Sequence, residues 1–325
     1  MAGQLLVSLD FELFWGMLDQ CPQEAYEDHV LGGRRAIPGL LELFRKYGIH
    51  ATWATVGFQF AENARELAPY LPEEGQRPTY EKPGLDPYAW LDKIGADEGS
   101  APCFYAGSLL GQIAATPGQE IGTHTFSHYY CREPGQTPEQ FAADMRAARA
   151  VAKSKGFDVT SVVLPRNQCE PAYTQVLREQ GFAAYRDEEN DWIHEKIHFR
   201  PLLRALRLLD VYLPLTGFGG YVPQNEGGIW NLTGSRMYKP ILLALRGLEG
   251  LKLHRIKAQM RHAAKKGLTF HLWWHPHNIG VRTQEHLRQL EEIFSYYQKL
   301  RNRYGMESRN MAEAAKHAQQ EASHG

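Results

Sequence analysis

Short, mainly apolar runs alternate with longer amphipathic stretches along most of this chain. Residues 5–9 form one such run that ends at charge, which predicts a buried strand. Residues 38–47 have the apolar spacing of a helix and are closed by Gly48. The aromatic and β-branched residues at 49–56 predict a second strand.

The same alternation continues towards the end of the chain. It predicts helices over 61–69, 138–155, 173–180 and 284–303, and strands over 120–124, 159–164, 182–185 and 268–274. Strands that alternate with helices indicate a mainly parallel sheet, either open or closed into a barrel. Ligands of both architectures bind at the carboxyl ends of the strands, so polar residues there are candidates for chemistry.

Two segments interrupt this pattern. Residues 69–103 are rich in proline, glycine and acidic residues, which predicts an irregular insertion. Residues 306–325 are polar, and we expect them to form a tail that frays. The sequence therefore predicts one domain over residues 1–305 that contains the insertion and precedes the tail.

Charge and hydropathy narrow the classes of function. The 36 Lys and Arg residues nearly cancel the 37 Asp and Glu residues, which argues against a general nucleic-acid binder. No apolar run approaches the ~20 residues needed to span a bilayer, and the N-terminal segment lacks the basic start of a signal peptide. The four Cys are scattered without a Cys-x-x-Cys pair, as in proteins of reducing compartments. We therefore expect a cytoplasmic protein.

His124 and His128 are the most informative pair of residues. Neutral imidazole is the commonest metal ligand in proteins, and a spacing of four directs both rings to one point if the segment turns like a helix. The chain has 14 His, so a close pair also arises by chance, with packed or solvated rings. The pair gains meaning only if other ligands lie nearby.

Other ionisable residues follow the ends of predicted strands. Asp10 and Glu12 follow the first strand, and their i, i+2 spacing puts both carboxylates on one face of an extended chain. Arg166 follows a middle strand, whereas His275 and His277 follow the last one. None of these residues lies at the start of a strand, so we expect them to converge at one edge of the sheet.

These residue types predict hydrolysis. One carboxylate and two imidazoles would form a three-ligand metal shell with an open position, as catalytic zinc requires. A second carboxylate would take a proton from water, and an Arg beside it would orient it and keep it ionised. A His across the site would protonate the leaving group of an amide or ester. Zinc is the expected metal, although this ligand set also accepts other divalent ions.

At these residues the chain resembles the polysaccharide deacetylases of the NodB-homology family, carbohydrate esterase family 4. In that family, two acidic residues supply the base and one metal ligand, and a His-[Ser/Thr]-x-x-His motif supplies the other two ligands. An Arg and Pro motif orients the base, and a late His acts as the acid. The segment His124-Thr125-Phe126-Ser127-His128 matches the second motif in full.

The other motifs resemble the family's with departures. Asp10-Phe11-Glu12 is similar to an Asp-x-[Asp/Glu] variant rather than to the adjacent Asp-Asp pair. Pro165-Arg166 inverts the usual Arg-x-Pro order, and Trp273-Trp274-His275-Pro276 replaces a Leu-x-His pattern. Asp191-Trp192 is similar to the family's Asp-Trp element.

The resemblance covers nearly the whole chain and implies a fold and a set of roles. The implied fold is an α/β, distorted (β/α) barrel of about seven strands. The implied roles are Asp10 as base, Glu12, His124 and His128 as metal ligands, Arg166 as the residue that orients the base, and His275 as acid. From the sequence, which of Asp10 and Glu12 holds the metal stays open.

Within the family, residues 9–16, 51–57 and 165–168 resemble the branch associated with surface-polysaccharide and O-antigen gene clusters. The implied reaction removes an N-acetyl or other N-acyl group from a sugar, and the implied substrate is a nucleotide-linked or lipid-linked precursor. The alternatives are a deformylase or cyclic-amide hydrolase on the same fold, and a non-catalytic glycan-binding or assembly protein.

Five further residues are candidates for binding the substrate: Trp15, Asn167, Gln168, Trp274 and His277. Trp15 would either cap the pocket or belong to the core, and Trp274 suits a sugar-binding wall. Asn167 and Gln168 share the loop of Arg166.

Leucines and basic residues alternate over residues 240–266. The pattern is typical of an outer helix of a barrel. The alternative is a helix that lies on a membrane surface, which would bring the protein to the inner face of the membrane.

Overall fold

The computed structural model describes residues 2–82, 84–189, 192–197 and 199–324. Asp191, of the Asp191-Trp192 element, lies outside the described residues.

Ten strands within these ranges form one sheet. They are β1 (Gln4–Phe11), β2 (Ala51–Thr55), β3 (Gln119–Thr123), β4 (Ser161–Val163), β5 (Ala184–Arg186), β6 (Gln224–Asn225), β7 (Trp230–Asn231), β8 (Arg236–Met237), β9 (Thr269–Trp274) and β10 (Glu307–Arg309).

The sheet is a curled, almost wholly parallel structure with the order β6-β7-β5-β4-β3-β2-β1-β9-β8. Among the strands of the described ranges, only β6 and β7 pair antiparallel. One edge of β1 is shared, because β10 pairs with its first residues and β2 with its last. A bridge between Tyr221 and Thr269 draws the two ends of the sheet together. The predicted distorted barrel is confirmed, with the short strands β7 and β8 as additions to it.

Ten α-helices in the described part of the chain pack around this sheet. They are α1 (Gln23–Tyr47), α2 (Ala64–Leu67), α3 (Gly107–Ala114), α4 (Pro138–Ser154), α5 (Pro171–Glu179), α6 (Trp192–Lys196), α7 (Arg200–Tyr212), α8 (Glu249–Lys266), α9 (Thr283–Tyr304) and α10 (Met311–His324). Of the helices in the described ranges, none has the length and apolar character needed to cross a membrane.

Helix α1 is longer than its pattern predicts, since it begins at Gln23 rather than at residue 38. Its first half includes two glycines that touch the loop after β9. A Cβ at Gly32 would lie 2.1 Å from the carbonyl oxygen of Gly280, and one at Gly33 would lie 2.8 Å from Cα of His277. The missing side chains let α1 hold that loop in place, and the loop carries two of the candidate site residues.

The alternation of side chains along β1 separates core from chemistry. All eight residues of β1 are buried. Leu5, Val7 and Leu9 belong to the main apolar cluster, in which α1 and α9 also pack. Leu6 belongs to a second cluster inside the barrel. Asp10 follows Leu6 on that inner face, so the period of two aims its carboxylate into the barrel.

The predicted fraying tail is wrong. Residues 307–309 form β10, and α10 packs against the sheet with Met311, Ala314 and Ala315 buried in the second cluster. The segment looks polar because its apolar face consists mainly of alanine. Those small side chains fit the narrow interior of the barrel, which a longer apolar face would overfill.

The insertion at 69–103 is irregular within its described residues, as expected. It holds short 3-10 turns, Glu74–Gln76 and Tyr88–Trp90, between α2 and α3. Tyr88 is nevertheless buried, and its ring meets that of Phe58 edge-on at 5.4 Å. The insertion therefore shares the main core.

Candidate active site

The carboxylates of Asp10 and Glu12 point into the same space at the carboxyl end of β1. Their exposed fractions are 3% and 5%, and Phe11 between them turns away to pack against the ring of Trp53. Nε2 of His275 lies 3.7 Å from Oδ2 of Asp10 and 3.5 Å from Oε1 of Glu12. The i, i+2 spacing thus places both carboxylates as predicted.

The two histidines converge, but not through a helical turn. His124 directly follows β3, and the chain then folds back because Thr125 and His128 adopt positive φ angles of 65° and 60°. Nε2 of His124 lies 3.2 Å from Oε2 of Glu12, and Nε2 of His128 lies 2.9 Å from the same oxygen. The expected helical geometry is wrong, although the expected convergence is found.

A buried carboxylate on α4 fixes this loop. Asp144 accepts hydrogen bonds from the backbone N–H groups of Phe126 and Ser127 and from the hydroxyl of Ser127. Burial raises the pKa of Asp144 to about 7 despite these hydrogen bonds. The sequence gives no sign of this role, because Asp144 occupies an ordinary position within a helical pattern.

The donor set around Oε2 of Glu12 fits a divalent metal ion. Nδ1 of His124 lies 2.7 Å from the carbonyl oxygen of Val163, so it carries the proton and donates it there. In the neutral ring, Nε2 then turns a lone pair towards the carboxylate, an arrangement that a cation between the atoms stabilises. Tetrahedral zinc with bonds near 2.1 Å separates its ligand atoms by about 3.4 Å. The distances here are 3.2 and 2.9 Å, so the three groups are already gathered and would move apart by about 0.2 to 0.5 Å to admit the ion.

Among the described residues, Glu12, His124 and His128 form a group whose ligand atoms all lie within 4.8 Å of one another. Burial alone would raise the pKa of Glu12. The nearby His275 and the close approach of His124 and His128 outweigh that effect, so the pKa of Glu12 lies well below its usual range. Burial lowers the pKa of His128, which favours the neutral ring that a metal requires.

Asp10 is held by Arg186, the last residue of β5. Nη1 and Nη2 of Arg186 donate to Oδ1 and Oδ2 of Asp10, both at 2.7 Å. Nη1 also donates to Oγ of Ser8, and the guanidinium lies 4.2 Å from the centre of the Trp273 ring. Burial would raise the pKa of Asp10, but the fully buried charge of Arg186 lowers it, so Asp10 stays ionised.

The sequence profile of the polysaccharide deacetylase family matches residues 18–185, more than half of the chain. The chain belongs to the polysaccharide deacetylase family. No curated protein sequence matches it.

Solved structures share the fold of this chain at low sequence identity. A protein assigned as a polysaccharide deacetylase from Mycobacterium smegmatis is 13% identical, with a TM-score of 0.60 over 99% of this chain and 92% of that one. Another so assigned, from Pseudomonas aeruginosa PAO1, is 12% identical, with a TM-score of 0.56 over 97% and 89%. The allantoinase PuuE is 12% identical, with a TM-score of 0.56 over 97% and 88%.

In this member of the family, Arg166 does not contact Asp10, the predicted base. Its guanidinium binds Asp19, with oxygen distances of 2.7 and 2.8 Å, and Glu133 at 2.9 Å, at the rim of the site. The residue beside Asp10 is Arg186, which sequence reasoning missed. The other candidates were chosen because they follow the ends of predicted strands. Arg186 meets the same criterion, since it follows the strand predicted over 182–185.

The two late histidines stack on each other in the site. The rings of His275 and His277 are 4.9 Å apart, and Nδ1 of His275 lies 3.2 Å from Oδ1 of Asn278. Nε2 of His277 is 4.0 Å from Oε1 of Glu12. Burial lowers the pKa of His277 to about 3. His277 is therefore a neutral wall of the site, whereas His275 is partly exposed and contacts both carboxylates.

Two of the proposed tryptophans lie in the core of the deacetylase fold. Trp15 is fully buried, with its Nε1 donating to the carbonyl oxygen of Phe104. Trp274 is fully buried between the rings of Phe44 and Tyr238. Successive residues of a strand face opposite sides, so it is Trp273 that faces the site.

Asn167 and Gln168, the two polar candidates in the loop of Arg166, point in different directions. Oδ1 of Asn167 accepts from Nη2 of Arg186 at 2.8 Å and thereby supports the residue that holds Asp10. Gln168 turns away, and its Oε1 accepts from the backbone N–H of Arg132. The expectation that Gln168 lines the site is wrong, because the loop reverses at residues 166 and 167, both of which have positive φ.

A cleft of about 700 Å³ opens at this site. Asp10, Glu12, His128, His275 and His277 line one part of it. Residues of α7, of β8 and of the segment after β8 line another part, which includes Arg207, Arg236 and Lys239.

Proposed function

We propose that this protein is a metal-dependent sugar N-deacetylase. Membership in the polysaccharide deacetylase family supports a hydrolase that acts on an acetylated sugar. One observation carries the metal dependence: the Nε2 atoms of two imidazoles face a single oxygen of the buried Glu12 carboxylate, at 3.2 and 2.9 Å. Beside that group, Asp10 is kept ionised by Arg186.

Glu12, His124 and His128 would hold the ion, for which zinc is the expected choice. A bound divalent ion supplies Lewis-acid chemistry, polarising the acyl carbonyl and favouring water as a nucleophile near neutral pH. Among the described residues, Asp10 makes no hydrogen bond with His124 or His128, and Arg186 donates to both of its oxygens. These contacts support Glu12, rather than Asp10, as the ligand.

The remaining residues would move protons. Asp10 is ionised at neutral pH and faces the cleft, so it would take the proton of the attacking water. Arg186 would act as a positioning residue that fixes the direction of that carboxylate. His275 has Nε2 within 4 Å of both carboxylates and is open to the cleft, so it would deliver a proton to the leaving amine.

The cleft and its surroundings support a sugar as the substrate. Trp273 offers an aromatic edge and Tyr26 a phenol to a polar ring. We propose an N-acetyl group as the one removed, and a precursor of a surface polysaccharide or O-antigen as the substrate. The resemblance of residues 9–16, 51–57 and 165–168 supports that role, and the four scattered cysteines support a cytoplasmic location.

The test combines metal analysis with product analysis. The purified chain should contain about one equivalent of zinc and release acetate from N-acetylated sugars. A chelator should stop the reaction, and added zinc should restore it. Release of formate alone would favour the deformylase, and opening of a cyclic amide would favour the cyclic-amide hydrolase. If no divalent ion restores any acyl release, the proposal fails and the non-catalytic alternative stands.

A matched pair of variants tests the two carboxylates. Asp10→Asn should retain the metal and lose activity by about a hundredfold or more, because it removes only the base. Glu12→Gln should lose both, because it removes a ligand. Full metal content in Glu12→Gln together with metal loss in Asp10→Asn would reverse the assignment.

A further inference from the structure

Exposed apolar side chains concentrate on one side of the cleft. Of the 13 large apolar residues exposed among the described residues, all except Val281 lie between residues 192 and 251. Phe199 is 68% exposed and Leu243 is 61% exposed. A soluble surface rarely gathers so many apolar groups in one segment without a partner.

Helix α7 carries the first part of this surface. Residues 199–209 contain three arginines and five leucines but no acid. Leu202, Leu208 and Leu209 are exposed, as are Arg204 and Arg207. A helix that exposes leucine beside arginine is typical of binding to the surface of an anionic membrane.

The start of α8 carries the second part, and there the usual arrangement of a surface helix is inverted. Glu249 and Lys252 are buried and form an ion pair with each other, whereas Leu248 and Leu251 are exposed. Arg255, one turn after Leu251, binds Asp210 of α7 at 2.7 Å. That contact packs α8 against α7, so the exposed leucines of the two helices lie on neighbouring elements.

This surface continues into the cationic wall of the cleft. Arg207 of α7 and Lys239, just before the exposed Leu242 and Leu243, both line the cleft. Arg236 and Arg255 share the single carboxylate of Asp210. Among the described residues, no carboxylate lies within ion-pair distance of the Lys239 ammonium, and Glu189 is the acid that acts on it at longer range.

Two cations of this wall, Arg207 and Lys239, have no carboxylate within ion-pair distance among the described residues. Of the carboxylates that line the same part of the cleft, Glu188 pairs with Arg132, and Asp210 binds both Arg236 and Arg255. Burial together with repulsion from Arg207 and Arg236 lowers the pKa of Lys239. An anionic group of a ligand placed here would relieve that repulsion, and it would lie in the same cleft as Glu12 and Asp10.

We infer that the surface formed by Phe199, Leu202, Leu208, Leu209, Leu243 and Leu251 docks on an anionic membrane, and that the substrate is a sugar carried on a lipid phosphate. The apolar side chains enter the interface, and the arginines of α7 meet lipid phosphates. The phosphate of the substrate then lies against Arg207 and Lys239, with the sugar towards Glu12. This inference about the substrate rests on the proposed deacetylase function.

Vesicle sedimentation of the full, zinc-loaded chain tests the docking. The protein should pellet with phosphatidylcholine vesicles that contain phosphatidylglycerol, and much less with phosphatidylcholine alone. Leu243→Ser/Leu251→Ser should weaken binding by about tenfold or more. Val281→Ser is the matched control, since Val281 is exposed elsewhere, and it should bind as the wild type does. Equal melting temperatures would show that the variants are folded.

Three outcomes would overturn the docking. One is wild-type protein that stays in solution with the anionic vesicles, and another is a double-serine variant that binds them fully. The third is a wild-type dimer that the double-serine variant converts to monomer without any vesicle binding, which would assign the surface to a second copy of the chain. Acetate release from a soluble N-acetylated sugar is measured in parallel, so the deacetylase proposal stands or falls separately.

Competition between substrates tests the carrier. The wild type should prefer an N-acetylated sugar on a lipid phosphate in vesicles over the same sugar on a nucleotide by about tenfold or more in kcat/KM. Lys239→Met should raise KM for the lipid-phosphate substrate by about tenfold with a much smaller change in kcat. An equal or greater kcat/KM for the nucleotide-linked sugar, or an unchanged KM in Lys239→Met, would overturn the lipid-phosphate carrier.

Discussion

Arg186 donates two hydrogen bonds of 2.7 Å to Asp10 inside the barrel, one to each carboxylate oxygen. The pair does not stand alone. Ser8 accepts from the same guanidinium at 2.8 Å, and Nε2 of His271 lies 2.8 Å from that hydroxyl oxygen. A chain of buried polar groups therefore fixes the direction in which Asp10 faces the cleft.

Removing Arg186 should disable the reaction more than removing Arg166. In Arg186→Met we expect kcat/KM to fall by about a hundredfold or more, because Asp10 loses its orientation. The acid limb of the pH profile should also move to higher pH, since the charge that lowers the pKa of Asp10 is gone. Arg166→Gln should have a much smaller effect and no shift of that limb, and a larger effect of Arg166→Gln would contradict the geometry.

Metal content separates ligand histidines from ordinary ones. His128→Ala should reduce bound zinc from about one equivalent to near zero, because Nε2 is lost from a three-ligand shell. Zinc should then no longer raise the melting temperature. His254→Ala, at an exposed position on α8, should keep both properties. His128→Ala with normal zinc content would remove His128 from the shell.

Acid should destabilise the fold through its buried histidines. Burial lowers the pKa of His271 to about 3 and that of His286 to about 4. Below the ordinary value near 6.5 the unfolded chain binds protons that the folded chain does not, so stability is full above pH 6.5 and is lost as pH falls towards 4. Urea unfolding in the presence of a chelator should show this, with a smaller slope in His286→Gln. Greater stability at pH 5 than at pH 7 would contradict the sign.

Alanine substitutions of the neighbouring residues Trp273 and Trp274 should affect different properties, catalysis in one case and stability in the other. Trp274→Ala leaves a cavity in the core and should cost about 3–5 kcal/mol of unfolding free energy. Trp273→Ala should instead raise KM and lower kcat, because Trp273 lines the cleft and its ring lies against Arg186. Urea unfolding and steady-state kinetics on both variants check the contrast, which fails if Trp274→Ala is as stable as the wild type.

The last helix should contribute to stability. Met311 is fully buried in the second apolar cluster, so Met311→Ala should cost about 2–5 kcal/mol. Lys316→Ala, on the exposed side of α10, is the control and should change the unfolding free energy by less than about 0.5 kcal/mol. Equal stability of the two variants would mean that the tail does not pack in solution.

The sequence predicted the site to the extent that local spacing controls it. Asp10 and Glu12 share a face because a strand alternates, and His124 and His275 follow strand ends that any parallel sheet gathers at one edge. The convergence of His124 and His128 was predicted for the wrong local reason, since positive φ angles rather than a helical turn bring the rings together. Side chains whose role depends on a distant partner, such as Asp144, gave no local signal.

By itself, the sequence determined the alternation of strands and helices, the parallel sheet and the edge at which the chemistry gathers. These follow from periodicity, which is a property of neighbouring residues. Only the tertiary structure decided that Arg186 rather than Arg166 holds Asp10, that Trp273 rather than Trp274 faces the cleft, and that α10 fills the barrel. Those outcomes depend on the curl and register of the sheet, which many weak contacts between distant segments set together.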